Sequence, residues 1–177
     1  MLMEVKKIKF SYQDKPFIEE LSVKFKKNKI TSIIGPNGSG KSTLLMLLSR
    51  IYKAKDGTIT LNDKNVWDYK IKEFAKNVAV VHQKNQIYGD LDVKYQIEIL
   101  NLIKEINKKY QMTIIMVHHD INQAINYSDE IIAMKDGKIL FQGVPEEVIT
   151  SASLKSLYDY DLSVIDYNHQ KIVLNYQ

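Results

Sequence analysis

Gly35-Pro36-Asn37-Gly38-Ser39-Gly40-Lys41-Ser42-Thr43 has the residue types and spacing needed to hold a triphosphate. The pattern G-x-x-x-x-G-K-S is a phosphate-binding loop. Its glycines let successive N–H groups turn inward as a concave nest for phosphate oxygens. Lys41 is spaced to reach the β- and γ-phosphates of ATP, and the Ser42 hydroxyl to hold Mg²⁺. A helix starting at this loop aims its positive dipole end at the same anion. A chance glycine turn ahead of a core helix would explain none of these fixed positions.

The flanks supply the elements such a loop requires. Residues 29–34 (KITSII) read as a short, β-branched, buried strand entering it. Residues 43–51 (TLLMLLSRI) are helix formers with a strongly apolar side. Further along, strands are expected at 4–12, 21–25, 58–61, 77–81, 113–117, 130–134 and 138–142, with turns at 13–15, 56–57, 62–64 and 135–137. Helices are expected at 71–76, 94–110 and 121–127, and Pro145 suits the first turn of another. In the 94–110 helix, Ile97, Leu100, Ile103 and Ile106 form the expected core stripe. Residues 162–165 and 171–174 read as a closing hairpin. Strands alternating with helices predict an α/β fold, a mostly parallel core sheet with antiparallel strands at the front.

Composition narrows the class. The chain has 177 residues, enough for one domain with a core. Its net charge is +4 and its lysines are scattered, which makes no case for nucleic acid. There are no cysteines, which excludes disulfides and thiolate metal sites. The N-terminal MLMEVKKIKF has no signal-peptide character, and no run approaches the roughly 18 apolar residues of a membrane span. A cytoplasmic chain is expected, reaching the inner face of the cell membrane only through partners.

Several stretches together carry a family resemblance: Phe10-Ser11-Tyr12, Gly35 to Thr43, residues 56–62 (DGTITLN), Val80-Val81-His82-Gln83, residues 116–124 (MVHHDINQA), and residues 135–148 (KDGKILFQGVPEEV). The glycine loop alone marks any P-loop NTPase; the histidine run and the 143–148 stretch narrow it. The chain resembles the ATP-binding subunit of ABC transporters, most like importers of iron–siderophore complexes and cobalamin. The resemblance implies that Tyr12 stacks on adenine, and an aromatic ring is a suitable platform for any base. It implies that Gln83 touches Mg²⁺ and the attacking water, so that Ser42 and Gln83 form the metal set. It implies that His119 contacts the γ-phosphate, and that Asp92 lies in the loop that follows the acidic strand, so that His119, Gln83 and Asp92 form the catalytic set. It also implies membrane-spanning permease subunits and a second ATP-binding subunit as partners. The adjacent His118 and His119 do not read as a metal site, because neighbours on a strand point to opposite faces.

The chain departs from that family in its middle. An intact subunit carries a helical subdomain after the glutamine, then an L-S-G-G-Q signature, then an apolar strand ending in Asp-Glu (Walker B). No such strings occur here, and Leu91-Asp92-Val93 runs straight into the next helix. The chain therefore reads as a single ABC-type ATP-binding domain, residues 1–177, internally shortened near residues 90–93, with the helical subdomain absent. Asp120 and the pair Asp129-Glu130 are weak substitutes for the lost acids, the pair because it precedes its strand. MgATP binding is expected to survive and hydrolysis to fail. The lost strand is an inner one, so the sheet must close up or leave a gap. A hydrolysing importer subunit, a nucleotide-binding module without turnover and a non-functional remnant remain as readings.

Overall fold

The computed structural model describes residues 3–13, 15–81, 93–168 and 170–174. A front sheet has the order β2-β1-β4-β5, built from β1 (Met3–Tyr12), β2 (Lys15–Phe25), β4 (Asp56–Leu61) and β5 (Lys64–Asn65). All its pairings are antiparallel. Strand β2 starts earlier than residue 21, because the hairpin turn contracts to a tight corner with Gln13 in the left-handed region. The residues expected as a turn at Asp56-Gly57 lie inside β4 instead. Gly57 has φ 82°, and a Cβ there would collide with the carbonyl oxygens of Lys6 and Lys7. The glycine admits the close approach of a bulge in β1, where the register shifts after Val5. Asn62 and Asp63, both at positive φ, form the two-residue turn into β5.

The main sheet has the order β6-β7-β3-β8-β9. Its strands are β3 (Ile30–Ile34), β6 (Val78–Val81), β7 (Thr113–Val117), β8 (Glu130–Lys135) and β9 (Lys138–Gly143). The first four run parallel and β9 returns antiparallel. Every residue of β3 and β7 is buried, as expected of strands covered on both faces. Strand β6 hydrogen-bonds directly to β7, from Val78 opposite Thr113 to Val81 opposite Met116. The sheet has closed up, and no gap is left between these strands.

Helix α1 (Lys41–Leu48) buries Leu44, Leu45, Leu47 and Leu48 completely in a core shared with the front sheet and with Ile33, Ile115 and Met134 of the main sheet. The opposite face of the main sheet, through Ile34, Ile131 and Ala133, packs against α4 (Ile121–Tyr127) and α6 (Ser151–Tyr158). The short helices α2 (Ile71–Ala75) and α5 (Pro145–Val148) complete the connections, with Pro145 in the first turn of α5. Helix α6 was not expected. Thr150 caps it reciprocally with Ser153, and that capping box starts a new helix two residues after α5 ends. Strands β10 (Ser163–Tyr167) and β11 (Gln170–Leu174) form the closing hairpin. Asn122 of α4 ties it down through both backbone groups of Val173.

Helix α3 (Val93–Tyr110) corrects one expectation. Leu100 is buried, and Ile103 and Ile106 pack against Ile30, Ile114 and Met116, but Ile97 is 44% exposed. Residues three apart drift by about 60° per step around an α-helix, so the first and last of four such residues lie on opposite sides. No helix among the described residues is long and apolar enough to cross a membrane.

Candidate nucleotide site

The loop 35–40 leaves the carboxyl end of β3 and feeds α1. Three of its residues sit at positive φ: Gly35 at 145°, Gly38 at 80° and Gly40 at 101°. Gly35 is squeezed, since a Cβ there would meet the Met134 carbonyl oxygen. Gly38 faces open space, where a Cβ would meet nothing. Gly40 is the N-cap of α1, and no side chain among the described residues caps that helix. The first-turn amides of α1 therefore have no side-chain acceptor, which suits them to an anion.

Lys41 lies under the loop, 5% exposed, and its Nζ donates to the carbonyl oxygens of Gly35 (2.7 Å) and Pro36 (2.8 Å). Burial lowers its pKa. A desolvated ammonium held by neutral carbonyls gains most from an anionic oxygen. The buried Ser39 hydroxyl has no hydrogen-bond partner among the described residues. The Ser39 carbonyl accepts from the Gly137 N–H (3.0 Å), and its own N–H reaches Pro36 O (3.3 Å), so the loop is braced by the β8–β9 turn. Ser42 is exposed at the first turn of α1. A buried cation, an orphaned hydroxyl and an uncapped helix start together fit a polyphosphate.

Tyr12 ends β1 on one flank of this loop. Its hydroxyl shares a 2.9 Å hydrogen bond with the Thr43 hydroxyl, and its ring packs edge-on against Phe10, Phe17 and Tyr52. The ring is 43% exposed, leaving surface for a base. On the other flank stands His119, just past β7. Burial, and after it the charge of Lys41, lowers its pKa. Gly35, Pro36, Asn37, His119, Tyr158 and Leu162 are among the residues that line a cavity of about 360 Å³. His118 points away and is buried, with Nε2 2.9 Å from the Met116 sulfur; its pKa falls to about 4, chiefly through burial.

The structure thus gathers Tyr12, the loop from Gly35 to Thr43, and His119 around one site. Gln83 and Asp92 lie outside the described residues. Asp120 is committed as the N-cap of α4, accepting from the Gln123 N–H at 2.9 Å. Asp129 bonds the Ile30 N–H and Lys29 at the opposite end of β3 from the loop, and Glu130 pairs with Lys26 at 2.6 Å. Neither member of that pair is positioned for the phosphate site. Sequence reasoning missed Tyr158 and the Met134 carbonyl, whose roles are set by contacts distant in the chain.

The family model described as ABC transporter matches residues 18–143. Among curated relatives, the petrobactin import ATP-binding protein YclP of Bacillus subtilis (strain 168) is 28% identical, covering 97% of this chain and 98% of YclP. The iron(3+)-hydroxamate import ATP-binding protein FhuC of the same organism is 25% identical, covering 92% of this chain and 90% of FhuC. The YclP alignment runs over 247 residues against 177 in the whole chain, so at least 70 of them have no counterpart here. Both chains are covered nearly end to end, so the unmatched residues fall inside the alignment. Among solved structures, cbiO1 from Clostridium perfringens, part of the ABC transporter complex cbiONQ, shares the fold with a TM-score of 0.71 at 21% identity, covering 88% of this chain and 93% of that one. With most of its length inside the family model, the chain belongs to the ABC transporter family, as one of its ATP-binding subunits.

Proposed function

We propose that this chain binds MgATP as the nucleotide-binding subunit of an importer of iron–siderophore or related metal chelates, and that it does not turn ATP over unaided. The observation that carries the binding half is Lys41, buried beneath a positive-φ glycine loop with only carbonyl oxygens as acceptors among the described residues. In this reading the loop amides and Lys41 hold the phosphates, Tyr12 carries the adenine, and His119 faces the γ-phosphate. Ser42, with Gln83, would hold the magnesium ion, which neutralises phosphate charge when bound. The cargo reading is supported by the roles of the relatives, petrobactin and iron(3+)-hydroxamate import. Permease subunits and a second ATP-binding subunit are the expected partners.

The failure of turnover is supported by the unmatched residues and by the acids that remain. Phosphoryl transfer to water needs a group that orients the water within hydrogen-bond reach. Asp120, Asp129 and Glu130 are bonded elsewhere. We place the shortening near residues 90–93. Equilibrium binding of a fluorescent ATP analogue to the wild type and Lys41→Ala tests the reading. Tight binding lost in Lys41→Ala, with ATP turnover near background, is expected. Equal affinities would leave a non-functional remnant, and steady turnover abolished by His119→Ala would restore a hydrolysing subunit.

A further inference from the structure

The phosphate loop is braced from a direction that the sequence motif does not encode. Helix α6 follows the main sheet in the chain, yet its last turn comes back to the start of the loop. Tyr158, the final residue of α6, lines the same cavity as Gly35, Pro36 and His119. Its ring packs in the core formed by Ile34, Leu154 and Leu157, so the hydroxyl is held in place. Burial raises the pKa of that hydroxyl, and the Gly35 backbone beside it on the wall of the shared cavity opposes the rise. On its other side, Gly35 has no room for even a Cβ against the Met134 carbonyl oxygen. The first residue of the loop is therefore gripped between β8 and α6.

A second tie reinforces the first. Lys135, at the end of β8, donates to the Ser156 carbonyl oxygen (2.8 Å) and pairs with Asp159 (2.7 Å), which caps α6 in the left-handed conformation. Two residues on, the Gly137 N–H donates to the Ser39 carbonyl oxygen in the middle of the loop. The β8–β9 turn thus holds the end of α6 with one residue and the loop with another.

We propose that α6 is a strut for the phosphate loop, and that Tyr158 and Lys135 are positioning residues that set its affinity for nucleotide. The inference rests on the nucleotide reading of this loop, and it adds residues beyond the loop motif to the parts that determine binding. Tyr158 touches no phosphate; it fixes the backbone from which the anion nest begins. Losing a single polar contact of this kind costs a small factor in binding. The strut also makes nucleotide affinity depend on the C-terminal helix.

Two readouts on the full chain test this. The first is the amide exchange rate and chemical shift of Gly35 in ¹⁵N-labelled protein without nucleotide. The second is the Kd for a fluorescent ATP analogue. Tyr158→Phe keeps the ring and removes the hydroxyl, and Lys135→Met keeps the aliphatic stem and removes the tie to α6. Each should weaken analogue binding by about threefold to tenfold, with the melting temperature close to wild type. Tyr158→Phe should also move the Gly35 amide and speed its exchange. Lys155→Met, which breaks only the exposed Lys155–Asp161 pair on the same helix, should leave both readouts at wild-type values. An unmoved Gly35 amide in Tyr158→Phe overturns the strut, as does unchanged affinity in both variants. A wild type that binds the analogue no better than Lys41→Ala sinks the nucleotide reading and the affinity role together, and the Gly35 amide then decides the tie alone.

Discussion

The Tyr12 and Thr43 hydroxyls share a 2.9 Å hydrogen bond that joins the last residue of β1 to the first turn of α1. The ring proposed to carry the base is thereby tied to the helix proposed to carry the phosphates. Its other supports are the edges and faces of Phe10, Phe17 and Tyr52, which hold it without covering it. Stacking tolerates any base, whereas a hydrogen bond from the ring to the helix fixes only where the platform stands.

Substitutions at Tyr12 separate these two contributions. Tyr12→Phe keeps the platform and loses the tie, and should change ATP-analogue affinity by about threefold or less. Tyr12→Ala removes the platform and should weaken it by about tenfold or more, a stacked base being worth about 1–3 kcal/mol. GTP and ATP analogues should suffer alike. Titration of the three proteins by fluorescence checks this, and equal affinity of wild type and Tyr12→Ala would remove Tyr12 from the site.

Gly35 is the residue of the loop least able to accept a side chain. Its φ is 145°, and the space beside it is occupied by the Met134 carbonyl oxygen. Gly35→Ala should cost about 2–4 kcal/mol of folding stability through backbone strain and overpacking. Gly38→Ala is the comparison: its φ of 80° is also strained, but nothing lies within 4 Å of the new methyl group. Urea unfolding of both variants should show the larger loss for Gly35→Ala.

What the sequence revealed and concealed has a physical pattern. The loop was legible because its chemistry is local: glycines, lysine and serine at fixed offsets between a buried strand and an apolar helix. The parallel core was legible from the short, mostly β-branched runs of β3 and β7. The Asp56-Gly57 pair looked like a turn because glycine after aspartate usually marks one. Its actual task, to let β4 approach the bulge at Lys7, is set by a strand far away in the chain. Tyr158 was invisible for the same reason, since it meets the loop at a backbone far away in the chain. The α3 stripe failed because a spacing of three is not the helical period. The direct pairing of β6 with β7 could not be read from either strand alone.

His118 makes stability depend on pH. Burial lowers its pKa to about 4, against an ordinary value of 6.5. Between those values the unfolded chain binds a proton that the folded chain refuses. The stability it contributes is complete above pH 6.5 and is lost as pH falls towards 4, about 3 kcal/mol by that difference. Carboxylates also titrate at the acid end, so the measurement is the difference between wild type and His118→Phe. The wild-type unfolding midpoint should fall more steeply from pH 6.5 to 4, and parallel pH profiles would refute the assignment.

His119 carries the most direct test of the electrostatics at the site. Burial and the charge of Lys41 hold its pKa below the ordinary value. A bound triphosphate would place negative charge between the two, countering Lys41 and favouring the imidazolium. The pKa of His119 should therefore rise on binding. By linkage, the complex then holds more protons than the free protein near that pKa, so affinity should increase as pH falls through the bound-state value. Lys41→Met should raise the His119 pKa even in the free protein, because it removes the repelling charge. Imidazole resonances followed by NMR through a pH titration, with and without a non-hydrolysable ATP analogue, measure each shift. A His119 pKa indifferent to both nucleotide and Lys41→Met would separate the histidine from the phosphate loop and leave its place beside Asn37 without electrostatic consequence.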